Sequence, residues 1–135
     1  MKSGRYILWV DDDLDDLFIF RQALQQIDPA IQVKEASNGI EAVEHLQEAW
    51  AGQDLPCLIV MDLNMPLKNG RETIPVVRQH PFFSSIPMVV FTTSSSVHDQ
   101  QFCKEHGIDF FIKPLHFNEL VQSVSKIVSY CDPAA

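Results

Sequence analysis

Short apolar runs alternate along this chain with segments whose apolar residues recur every three or four positions. The runs Tyr6–Val10, Ile31–Ala36, Cys57–Met61, Met88–Phe91 and Phe110–Ile112 read as strands. The first, third and fourth are continuous and rich in branched residues, as strands covered on both faces should be. Ile31–Ala36 alternates through Ile31, Val33 and Glu35 and reads as an edge. Between the runs lie helical patterns. Leu14, Leu17, Phe18 and Leu24 form one stripe, with Asp13 as N-cap. Ile40, Val43, Leu46 and Trp50 form a second, started by Asn38. A third helix spans about Asn69 to Gln79 and contains Pro75, which should kink it or mark a late start. A fourth, about Ser96 to His106, carries only a weak stripe (Val97, Phe102, Cys103), and Gly107 suits the left-handed position that ends it. The last is patterned by Leu120, Val121, Val124, Ile127 and Val128, and ends near Val128 or Tyr130.

Five βα units in succession imply an α/β fold with helices on both faces of a parallel sheet. Right-handed crossovers with one reversal of winding give the strand order 2-1-3-4-5, a doubly wound, flavodoxin-like (βα)5 arrangement. Ligands in such sheets bind at the strands' carboxyl ends, where the winding reverses. With no repeat or linker in the chain, its 135 residues favour one domain, 1–135. The residues after the last helix, Cys131 to Ala135, are too few for an output module.

Composition narrows the function. A 46% hydrophobic content is globular. A formal net charge of −8, with scattered basic residues, disfavours nucleic acid as a partner. No apolar stretch approaches a membrane span and the N-terminus lacks a signal-peptide layout, so a cytoplasmic protein is expected. Cys57, Cys103 and Cys131 are odd in number and form no CxxC, so three reduced thiols are expected rather than a disulfide or zinc site.

The predicted strands end in reactive groups. Asp11, Asp12 and Asp13 follow the first, Asp62 the third, Thr92 and Thr93 the fourth, and Lys113 the fifth. Like charges about 4 Å apart repel by about 1 kcal/mol per pair even in water. Such a cluster calls for a cation, and carboxylate oxygens suit Mg²⁺. The blander reading is a set of acids that favours the first helix's dipole. In the predicted order these strands are neighbours, so the groups should converge. Asp62 would then be a carboxylate nucleophile for a phosphoryl group, Asp12 and Asp62 would hold Mg²⁺, Lys113 would supply a point charge, and the Thr92 hydroxyl a hydrogen bond.

Val10-Asp11-Asp12, the segment Asp62-Leu63-Asn64-Met65-Pro66-Leu67-Lys68-Asn69-Gly70, Phe91-Thr92-Thr93 and Phe111-Ile112-Lys113-Pro114 together resemble the receiver domain of two-component response regulators. The resemblance runs from about Arg5 to Val128. It implies that Asp62 is phosphorylated by a histidine kinase or phosphotransfer protein. It also implies that Asp12 binds the metal directly, that Asp11 acts through metal-bound water, and that Asn64 contributes its backbone carbonyl. It further implies a cis Lys113–Pro114 bond. Thr92 would move toward the new phosphoryl group and Phe110 would turn inward, altering the face of the fourth helix, fourth strand and fifth helix for a downstream protein target. A permanently buried Phe110 ring is the competing reading. The resemblance implies a monomer or weak homodimer and a protein that catalyses only its own phosphorylation and dephosphorylation.

Some positions depart from the pattern. Thr93 is bulkier than the small residue usual after the switch threonine and would narrow access to Asp62. Asp13 lengthens the acidic run and suits a cap better than a metal. The long Gln47–Pro56 stretch, with Gly70-Arg71-Glu72 and Thr92-Thr93-Ser94, resembles single-domain regulators served by phytochrome-type or hybrid kinases. Three other functions compete. An aspartyl-phosphate phosphohydrolase would want an acid where Asn64 stands. A flavin carrier would want a phosphate-cradling loop where the three aspartates stand. A phosphate-independent interaction module would not need Asp12, Asp62, Thr92 and Lys113.

Overall fold

The computed structural model describes residues 5–131. The final residues of the tail, 132–135, lie outside them. Five parallel strands, β1 (Tyr6–Val10), β2 (Gln32–Ala36), β3 (Leu58–Met61), β4 (Met88–Thr92) and β5 (Asp109–Ile112), form one sheet in the order β2-β1-β3-β4-β5. The helices are α1 (Leu14–Ile27), α2 (Gly39–Ala51), α3 (Gly70–Gln79), α4 (Val97–Glu105) and α5 (Phe117–Val128), followed by a 3-10 turn at Ser129–Cys131. No helix among the described residues is long and apolar enough to cross a membrane.

The two-residue period of the strands builds two cores. Ile7 and Trp9 of β1, Leu58 and Val60 of β3, and Val89 and Phe91 of β4 pack against Leu17, Phe20 and Leu24 of α1 and Leu120, Val124 and Ile127 of α5. Leu8, Val10, Ile59, Met61 and Val90 face the other way, onto Ala42 and Leu46 of α2, Ile74 and Val77 of α3, and Cys103 of α4. The central strands are therefore buried on both faces, as their unbroken apolar runs require.

Four helix starts read from the sequence stand: Asp13, Asn38, Asn69 and Ser96 each accept a backbone N–H three residues on. Gly107 ends the fourth unit at φ +67. Other expectations need correction. In α1, Leu14 and Phe18 are exposed, because Phe20 takes the core position with its ring 4.6 Å from Trp9. In α2, the buried face is Gly39, Ala42, Leu46 and Ala49. Gly39 abuts Thr73 and Lys68, and Ala42 and Leu46 join the core, whereas Ile40 and Trp50 turn outward and the Trp50 ring stacks on Phe82 at 4.2 Å. Helix α3 does not start late. Asn69 and Glu72 form a reciprocal capping box, and the helix runs through Pro75, forgoing the hydrogen bond proline cannot donate. In α4, Cys103 is buried but Val97 is exposed, and a charged residue, Asp99, is buried instead.

The cysteine expectation also fails. Cys57, just before β3, and Cys131, in the 3-10 turn, form a disulfide with Cα atoms 4.8 Å apart across 74 residues of sequence. Both lie at the amino end of the sheet, a meeting that spacing along the chain does not reveal. Cys103 is a free, buried thiol, which burial pushes up to about 11.

Candidate functional site

The carboxyl ends of β1, β3 and β4 and the residue after β5 deliver Asp11, Asp62, Thr92 and Lys113 to one edge of the sheet. Ladder hydrogen bonds fix the placement: Asp11 N–H donates to Ala36 O, Asp62 N–H to Val10 O, and Lys113 N–H to Thr92 O. At the centre stands the Lys113 ammonium. It donates to Asp11 Oδ2 at 2.6 Å and to Asp16 Oδ2 at 2.7 Å, and lies 3.5 Å from Asp62 Oδ2. One nearly buried cation thus faces three carboxylates.

Burial and charge act together on Asp11 and Lys113. Burial pushes Asp11 up to about 6, against the opposing pull of its bonds to Lys113 and the Asp13 amide, and neighbouring Asp62 raises it further. Burial alone would lower Lys113, but its bonds to Asp11 and Asp16 outweigh that and hold it protonated. Asp62 is 8% exposed, and its other oxygen accepts only a long bond, 3.4 Å, from Asn64 N–H.

The remaining predicted residues fall around this centre. Asp12 is exposed, and among the described residues no three acidic, His or Cys side chains are grouped closely enough to hold a metal ion. The structure therefore unites Asp11 and Asp62 without closing the whole set that includes Asp12. In donor chemistry, two buried carboxylates with surplus negative charge suit a hard dication. Asp13 caps α1 through Asp16 N–H. Thr92 is fully buried, and its hydroxyl oxygen accepts from Ser94 N–H at 3.3 Å. Thr93 is exposed. Phe110 is half-buried against the α2–α4 core and lines a surface groove of about 810 Å³ beside α4. The Lys113–Pro114 bond is trans, as is every described peptide bond, contrary to the cis bond expected.

The loop after β3 is shaped for close approach. A Cβ on Gly70 would lie 2.3 Å from the Asp62 carbonyl oxygen, so only glycine lets α3 begin against the Asp62 backbone. Leu67, 80% exposed, holds φ +62, a conformation that strains an L side chain.

A scan against family models matches residues 7–125 to the response regulator receiver domain. The chain belongs to that family. Among solved structures, this receiver domain is similar to the phosphorylated cyanobacterial phytochrome response regulator RcpA, at 27% identity and a TM-score of 0.87 over 98% of this chain and 97% of that one. It is also similar to Rcp1 of Synechocystis, 29% identical over 93% of this chain and 88% of Rcp1. The Mn²⁺-bound form of Rcp1 superposes with a TM-score of 0.81 over 93% of this chain and 92% of that one. A third match is to the sensor histidine kinase CheAY of Helicobacter pylori, 28% identical over 92% of this chain but only 15% of the kinase.

Two groups in this receiver's site were missed from sequence. Asp16 stands outside the apolar stripe of α1, and nothing in its position along the chain announced Lys113 as its partner. The other is Arg71, which holds Asp99 bidentately at 2.8 Å and 2.8 Å and also reaches Leu63 O and Asn64 Oδ1 at 3.4 Å. Nothing in the spacing of Arg71 and Asp99 announces that pair.

Proposed function

We propose that this receiver accepts a phosphoryl group on Asp62 from a sensor histidine kinase or phosphotransfer protein, with Mg²⁺, and then presents an altered face to a downstream protein. The observation carrying this reading is the surplus of negative charge around Lys113, which leaves Asp62 as a buried carboxylate at the sheet's switch point. The phosphorylated state of RcpA and the Mn²⁺ of Rcp1 support it by analogy.

In the transfer, an Asp62 carboxylate oxygen attacks phosphorus in line, a P–O bond forms, and the donor's P–N bond breaks with its electron pair leaving on nitrogen, which is protonated. The carboxylates of Asp11, Asp12 and Asp62 and the backbone carbonyl of Asn64 would hold the ion. Bound there, Mg²⁺ offsets the charge repulsion between Asp62 and the phosphoryl oxygens. Lys113 supplies a second positive charge on the opposite side. The Thr92 hydroxyl leaves Ser94 N–H to bond a phosphoryl oxygen, and Phe110 moves from its half-buried position into the space opened. The groove between Phe110 and α4 is then remodelled, which fits a protein partner. The Asn64 amide is a poor proton donor, so turnover of outside phosphoesters is not part of the proposal.

The test is labelling with acetyl phosphate or beryllofluoride in Mg²⁺, read by intact mass and ¹⁹F NMR. One adduct is expected, and none in Asp62→Asn. Labelling that persists in that variant overturns the assignment.

A further inference from the structure

The shortest bonds of Lys113 are not to the group it would serve. Its ammonium has three N–H donors. Two are taken at 2.6 Å and 2.7 Å by Asp11 and Asp16, while Asp62 waits at 3.5 Å. Asp11 comes from the strand end that any occupant of the site would share. Asp16 does not: it sits on α1, and its side chain is 32% exposed. Trp9, Asp16, Ile19, Phe91, Lys113 and Leu120 enclose a cavity of about 30 Å³, and the Trp9 ring lies 5.8 Å from the ammonium. The space beside the ammonium is about that of one water molecule.

We propose that Asp16 is a positioning residue, a latch that holds Lys113 in its resting place and competes with a phosphorylated Asp62 for it. This rests on the phosphoacceptor reading of Asp62. A contact made only in the resting state biases the equilibrium against the engaged state by its own free energy, and removing it shifts the population the other way. Because Asp16 is part-exposed and Lys113 keeps Asp11, the effect is modest: about fivefold in affinity for a phosphoryl mimic.

The experiment compares the unsubstituted protein with Asp16→Asn and Asp16→Glu, each in a Trp50→Phe background so that Trp9 is the sole indole. Beryllofluoride is titrated in saturating Mg²⁺, with heat and Trp9 emission as readouts and urea unfolding as the check on folding. Asp16→Asn is expected to bind about fivefold more tightly, and Asp16→Glu to return toward the unsubstituted value. Trp9 emission should change on binding in the unsubstituted protein, as the ammonium leaves the indole. It should already be part-shifted in unliganded Asp16→Asn. Equal or weaker binding by Asp16→Asn, or Trp9 emission indifferent to both changes, overturns the latch while leaving Asp62 as acceptor. No uptake by the unsubstituted protein would instead remove the phosphoacceptor reading and the latch with it.

Discussion

Two cation–carboxylate networks stand along the same edge of the sheet, and their charge balances are opposite. Around Lys113 one positive charge meets Asp11, Asp16 and Asp62. Around Arg71 one positive charge meets one carboxylate, Asp99, bidentately, and the Ser94 hydroxyl donates to the same carboxylate at 2.6 Å. The two buried acids also differ in what governs them. Asp11 is pushed up to about 6 by burial, which its neighbours do not overcome, whereas the Arg71 guanidinium holds Asp99 below the usual carboxylate range. A balanced pair is complete as it stands and ties α3 to the start of α4. An unbalanced one retains an affinity for more positive charge, as the cation site proposed above would need.

Removing each cation should break that contrast most directly. Lys113→Met should destabilise the Mg²⁺-free protein by about 3 kcal/mol, because Asp11 stays buried without its counter-charge. Urea unfolding in chelator measures it, and an unchanged midpoint would mean that the cluster is not held by Lys113. Arg71→Met should cost less, about 2 kcal/mol, since its side chain is more than a third exposed. Here the loss should be largely repaired by adding Asp99→Asn, which removes the stranded charge, and a double-mutant cycle reads the coupling.

The smallest effect is in pH dependence, and it has opposite signs in the two networks. Asp11 holds its proton more tightly when folded, so its favourable contribution is present below about pH 4 and is lost as pH rises toward 6. Asp99 holds its proton less tightly when folded, so its contribution is present above the ordinary carboxylate range and is lost as pH falls below it. Metal-free unfolding of Asp11→Asn and Asp99→Asn between pH 3 and 7 should therefore depart from the unsubstituted curve in opposite directions. Parallel curves would erase the distinction.

Much of the architecture was legible because its signals are local. The continuous runs of β1, β3 and β4 marked strands covered on both faces, and Asp13, Asn38, Asn69 and Ser96 marked helix starts through bonds made within three residues. The convergence of Asp11, Asp62, Thr92 and Lys113 followed from strand order and the rule that each strand's end lies on one edge. The buried faces of α1 and α2 were less legible. In α2 the alanines at 42 and 49 are buried while Ile40 and Trp50 are exposed, because close packing of the helix favours small side chains over hydrophobicity.

The order of elements, four helix caps and the strand-end placement of Asp11, Asp62, Thr92 and Lys113 were thus written in the linear chain, since each depends on neighbours a few residues away or on a topological rule. What had to await the folded molecule were the meetings between distant residues: Asp16 with Lys113, Arg71 with Asp99, and Cys57 with Cys131. A side chain's partner is set by ångström-scale differences in where helices dock, and no periodicity encodes that distance.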